Sequence, residues 1–88
     1  MKLFSEYDAA ADILFISTDA SQYVTGEVDD AGVIFRYEVA SGSPCGAAVI
    51  NFLSWEEDLP DLATRIGTHL SLPPSEILPL LAKDQENG

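Results

Sequence analysis

The feature that most constrains this chain is a period-two alternation of side chains that runs, with interruptions, from Leu3 to Leu53. Its clearest stretch is Gly32-Val33-Ile34-Phe35-Arg36-Tyr37-Glu38-Val39. Val33, Phe35, Tyr37 and Val39 fall on one side, with Ile34, Arg36 and Glu38 on the other, as a pleated strand requires. β-branched and aromatic types fill the stretch, and acidic or Gly/Ser/Pro clusters bound it. It predicts a strand in the middle of a sheet.

The flanking segments read as further strands. Leu3 to Tyr7 alternates, and Ile13 to Thr18 is a short β-rich run ending in the turn-like Asp19-Ala20-Ser21. Between them, Asp8-Ala9-Ala10-Ala11-Asp12 has helical propensity in its alanines, but the favoured reading is a hairpin loop whose aspartates bond free backbone N–H groups. Gln22 to Val28 alternates again, with Gly26 marking a bulge or a close backbone approach. Asp29-Asp30-Ala31-Gly32 is a turn signal. Ala40 to Gly46 reads as a loop, followed by a fifth strand over 47–53 that is apolar on both faces and therefore interior.

After Trp55 the period changes. Leu59, Leu62, Ala63, Ile66 and Leu70 follow helical spacing. Pro60 suits a first turn, and Glu56, Glu57, Asp58 and Asp61 set negative charge at the positive end of the helix dipole. Ser54 with Glu57 has capping-box spacing, and Asp58 is an equally good cap. Leu72-Pro73-Pro74-Ser75 breaks the chain and opens a second short helix. The expected architecture is an α+β domain over residues 1–88. It comprises an antiparallel β-meander of about five strands (3–54), two C-terminal helices packed on one face (58–83), and a flexible tail (84–88).

Three runs together carry a resemblance: Tyr7-Asp8-x-x-x-Asp12-x-Leu14-Phe15-Ile16, Glu27-Val28-Asp29-x-x-Gly32-Val33, and Gly46 leading the apolar strand through Ile50. The chain resembles the bacterial family designated domain of unknown function 2283, over about Leu3 to Ser54. The resemblance implies a small antiparallel β domain and supports the hairpin at Asp8–Asp12. It brings no activity, substrate or catalytic residue. Asn51-Phe52-Leu53 departs from the family's acidic residue and short polar exit, and the helical segment is longer than in its shortest members.

Composition narrows the partners. Fifteen acidic residues against four basic ones give a net charge of −11. Such a field repels nucleic-acid phosphate and anionic lipid, and Lys2, Arg36, Arg65 and Lys83 are too scattered for a basic patch. An apolar fraction of 47% nonetheless supports a folded core. A chain this short buries only about 60–65% of its extended surface, so a second copy is a natural supplement. Lone Cys45 suits a reducing cytoplasm, and no apolar run approaches membrane-spanning length, so the expected location is cytoplasmic.

Asp8, Asp12, Asp29 and Asp30 sit in two turns and offer oxygen ligands for a hard cation such as Ca²⁺ or Mg²⁺, although turn capping accounts for them more simply. Cys45 and His69, with an acid, make a nucleophilic triad on paper only, and one His with one Cys cannot fill a structural zinc site. Trp55, Tyr23, Tyr37, Phe35 and Phe52 offer aromatic lining for a ligand pocket or a protein interface, but in so thin a domain they read mainly as core. The sequence therefore predicts no catalytic residues and no cofactor. It points to a non-catalytic protein–protein interaction module, with self-association through an apolar patch on the Arg36/Glu38 face or through a sheet edge. A carboxylate cation-binding protein with a regulatory or hydrolytic role is the alternative.

Overall fold

The computed structural model describes residues 3–18 and 24–87. The expected turn at Asp19-Ala20-Ser21, the start of the third strand at Gln22, and Tyr23 lie outside the described residues. Chain order is β1 (Leu3–Asp8), β2 (Ile13–Thr18), β3 (Val24–Val28), β4 (Val33–Glu38), β5 (Pro44–Ile50), a 3₁₀ turn (Phe52–Trp55), α1 (Leu59–Leu70) and α2 (Pro74–Asn87). The α+β architecture and the one-sided helical cover match the periodicity. Among the described residues, no helix is long and apolar enough to cross a membrane.

The strands form one antiparallel sheet in the order β1-β2-β5-β4-β3. This corrects the simple meander. Three hairpins are sequential, but β5 inserts between β2 and β4, so β2 pairs with β5 and never with β3. The centre of the sheet is thus β5, and the Val33–Glu38 strand lies second from the edge. A fifth strand apolar on both faces belongs in that central slot.

β5 starts three residues earlier than its pattern suggests, which turns Cys45 from a loop residue into a buried strand residue. It also ends earlier. Asn51 adopts φ 56° and ψ 48°, the left-handed region that Asn tolerates better than most residues. That residue rotates the chain so that Phe52 becomes fully buried and Leu53 is exposed, the reverse of a continued strand.

The core lies between the helices and one sheet face. Leu14 and Ile16 of β2, Val33 of β4, and Ala47 and Val49 of β5 meet Leu62, Ala63, Ile66 and Leu70 of α1 and Ile77 and Leu81 of α2. Leu14 faces Val49, and Val33 faces Val49 from the other side, so strand register alone stacks this row. Each large side chain removed from water here contributes about 1.5–3 kcal/mol.

α1 starts at Asp58, whose carbonyl accepts the first intrahelical bond from Leu62 N–H, and Asp58 makes no side-chain cap bond. Ser54 serves elsewhere, its hydroxyl donating to the Asn51 carbonyl. The helix ends at Ser71, left-handed at φ 59°, with Leu72 N–H bonded back to the Gly67 carbonyl. Gly67 is buried at this corner, and a Cβ there would come within 2.6 Å of the Leu72 carbonyl. It is the contact point that lets α2 fold back on α1.

α2 runs past the expected stop at Lys83 to Asn87, so 84–87 is not a loose tail. Asp84 is buried, and the Gln85 side-chain amide donates to the Phe52 carbonyl at 2.8 Å. Pro79 sits inside this helix, removing the bond to the Ser75 carbonyl within the opening turns.

Candidate functional site

The candidate aspartates cluster at one end of the sheet. Ile50, the last residue of β5, pairs with Ile13 on one side and donates its N–H to the Gly32 carbonyl on the other. The β1–β2 and β3–β4 turns therefore flank the point where the chain leaves the sheet. Asp8 Oδ1 accepts from Ala10 and Ala11 N–H and shapes the first turn. Asp12, left-handed at φ 54°, accepts the Tyr7 hydroxyl at 2.7 Å and the Leu53 N–H at 3.1 Å, while its carbonyl accepts Phe52 N–H.

Asp29 plays the matching role opposite. Its Oδ1 accepts from Ala31 and Val33 N–H, and its Oδ2 pairs with Arg65 of α1 at 3.3 Å. Arg65 also pairs with Asp61 at 2.9 Å and lies over the Trp55 ring, 5.9 Å from its centroid. Asp61, with a smaller contribution from Asp29, raises the guanidinium pKa. Asp30 stands exposed beside them. Each turn thus fastens the segment that follows β5, one the 3₁₀ turn and the other α1. Among the described residues, no group of three or more His, Cys, Asp or Glu is placed to hold a metal ion.

Cys45 and His69 serve packing. The Cys45 carbonyl accepts the Thr18 hydroxyl at 3.3 Å. His69, in the last turn of α1, rests on the sheet rather than at the surface. Its ring lies 4.9 Å from that of Phe35 and 5.0 Å from that of Tyr37, and Nε2 sits 3.0 Å from the Arg36 carbonyl. A carbonyl only accepts, so Nε2 carries the proton. Of the remaining candidate aromatics, Phe52 packs in the core against Tyr7, and Phe35 and Trp55 are partly buried against it.

Among the described residues, the sheet's other face carries no helix. Antiparallel register sorts it into rows. Ile13 and Ile50 form one, Glu6, Phe15, Ala48, Ile34 and Val28 the next, and Phe4, Ser17, Gly46, Arg36 and Gly26 a third. Phe4, Val28 and Ile50 are exposed there, at 45%, 66% and 37%. Ala48 is only 4% exposed because Phe15 and Ile34 overhang it from the adjacent strands. Its burial owes nothing to a covering layer.

Arg36 lies between two glycines, Gly46 and Gly26, so neither cross-strand neighbour has a side chain beside it. A shallow trough runs from Arg36 past Ser17 and Phe15 to Glu6 and Phe4. Among the described residues, neither Arg36 nor Glu6 makes an ion pair, whereas Arg65 makes two. The other open-face acids are engaged locally: Glu38 accepts the Ser41 hydroxyl at 2.7 Å, and Asp8 caps its turn.

The periodicity placed Arg36 and Glu38 on this face, but it did not single out Phe4, Glu6, Phe15 or Ile50. Their signal was available in the same alternation, because β1 and β2 carry large apolar residues at both parities. Comparison with protein-family models, with curated proteins and with solved structures found no match to this chain.

Proposed function

We propose that this chain is a small non-catalytic protein–protein interaction module that binds through the open face of its sheet. The observation that carries this reading is the one-sided cover. Both helices lie on the Leu14/Val33/Val49 face, and the opposite face presents Phe4, Ile50 and Val28 around Arg36. Phe15, Ala48 and Ile34 fill the row between them, and an apolar face interspersed with charge is the kind of surface that makes contacts. The candidate aspartates support the same reading. Asp8, Asp12 and Asp29 hold turns and the segment after β5, and Cys45 and His69 are taken up in packing. The resemblance to the domain of unknown function 2283 family belongs to this proposal, with the first two of its three runs acting as turn anchors.

Site-specific photocrosslinking in the native host tests it. A benzoylphenylalanine at Ile50, on the open face, is expected to yield protein adducts that a control at exposed Thr64 of α1 does not. Equal or absent adduct formation at the two positions removes the reading.

A further inference from the structure

Resting on that reading, we propose that the occupant of the open face is a second copy of this chain, held face to face by reciprocal Glu6–Arg36 ion pairs. Within one chain these two residues cannot meet. Glu6 is on β1 and Arg36 on β4, three strand spacings apart, or about 14 Å at 4.7–4.9 Å per strand. Each is a charge on an apolar face, and neither has an ion-pair partner among the described residues.

The sheet order supplies the geometry. In the order β1-β2-β5-β4-β3, the boundary between β2 and β5 lies midway between β1 and β4. A two-fold axis parallel to the strands, running along that boundary between two facing sheets, lays β1 of each copy over β4 of the other. Glu6 of one copy then faces Arg36 of its partner, and the symmetry repeats the pair. The two residues occupy adjacent rows, about 7 Å apart along the strand, and stacked sheets lie about 10 Å apart. Two long side chains reaching from opposite sheets span that offset. The same axis stacks Phe15, Ala48, Ile13 and Ile50 of both copies at the centre, where the face is most apolar.

Charge distribution favours this face over any other for self-contact. The net charge of −11 opposes association in general. Among the described residues, the acids at strand positions on the open face are Glu6, Asp8 and Glu38, the last two already hydrogen-bonded, whereas Asp29, Asp30, Glu56, Glu57, Asp58 and Asp61 crowd the turns and the start of α1. Only β1, β2, β5 and β4 overlap in this arrangement, about 19 by 20 Å of sheet on each copy, which is below the standard interface size, so the dimer is a weak one that depends on its charge pairs.

Sedimentation equilibrium of the full chain from about 5 μM to about 1 mM reads this directly. A monomer–dimer equilibrium is expected. Glu6→Arg and Arg36→Glu each raise the dissociation constant about tenfold or more, and the double swap returns it to within about threefold of the parent. Glu6→Gln and Arg36→Gln provide milder versions, and circular dichroism checks that each variant folds. A monomer across the whole range, or a double swap no tighter than either single, overturns the proposal. Ile50 adducts that join the chain to a different protein, with none of doubled mass, overturn the second copy as occupant and leave the binding reading standing. No protein adduct at all removes both.

Discussion

The Tyr7 hydroxyl donates to Asp12 Oδ1 at 2.7 Å, and the same carboxylate receives the Leu53 N–H from forty-one residues further along the chain. One side chain thereby links the first hairpin to the turn that launches the helical cover. On the other side of β5, Asp29 does the same for α1 through Arg65. The two fastenings flank the exit from β5, and the core packed between helices and sheet holds the cover on the Leu14/Val33/Val49 face.

Removing the first fastening is expected to loosen the cover before it loosens the sheet. Asp12→Ala loses the Tyr7 and Leu53 bonds and places alanine at φ 54°, for a cost of about 1–3 kcal/mol. Urea denaturation measures the loss. Hydrogen exchange locates it, with Leu53 and neighbouring amides of the 3₁₀ turn exchanging faster than those of β2 and β5.

The Tyr7–Asp12 bond also predicts an alkaline limit. The hydrogen bond to Asp12, then burial and the negative charge of Asp12 and Asp8, raise the Tyr7 phenol above its ordinary pKa of 10.0. The folded chain therefore holds this proton more tightly than the unfolded chain. The stabilisation is complete below pH 10 and is lost as pH rises through the folded-state value. Melting temperatures above pH 10 should fall more steeply for the parent than for Tyr7→Phe, which has no phenol to ionise. Parallel curves would contradict the assignment.

Gly67→Ala reverses the sign that helix propensity predicts. An alanine inside a helix ordinarily gains about 1 kcal/mol over glycine. Here its Cβ would press on the Leu72 carbonyl at 2.6 Å, backbone that cannot move without shifting α2. Overpacking of this kind costs about 1–3 kcal/mol, so the variant should unfold at lower urea.

Asp84 points the other way. Among the described residues its buried Oδ2 has no hydrogen-bond partner, and the side chain lies toward the negative end of the α2 dipole. Asp84→Leu is expected to stabilise the fold by about 1–2 kcal/mol in the same urea assay. A loss of stability would show that the carboxylate is better solvated than its burial implies.

Much of this fold is legible as pattern. The two-residue period marked the strands, and the Leu59–Leu70 spacing marked α1, because both follow from one face meeting a core. What the pattern did not reveal is pairing across distance. Chain order alone makes β3 the neighbour of β2, and only the composition of β5 argues otherwise. The apolar character of 47–50 on both faces pointed to an interior strand, and the centre of the sheet is where such a strand is paid back in burial. Asn51 hid the end of β5, because a single left-handed residue changes which of Phe52 and Leu53 faces inward. Asp84 to Gly88 reads as a polar tail, yet Gln85 reaches Phe52 and the helix continues to Asn87.

The candidate site was half visible. Asp8 and Asp29 read as turn formers and hold turns, but the reach of Asp12 to Leu53 and of Asp29 to Arg65 depends on β5 passing between the hairpins. Parity alone puts Arg36 and Glu38 on the open face. Glu6 gained its significance only when the strand order set β1 and β4 symmetrically about the β2/β5 boundary.

The central claim is that one sheet face is covered and the other available. Methyl NMR of the dilute chain with a soluble paramagnetic probe measures this most directly. The account predicts strong broadening of the Val28 and Ile50 methyls and none for Leu14, Val33 and Val49. Equal protection of both sets, or broadening of the Leu14 and Val49 methyls instead, would contradict it.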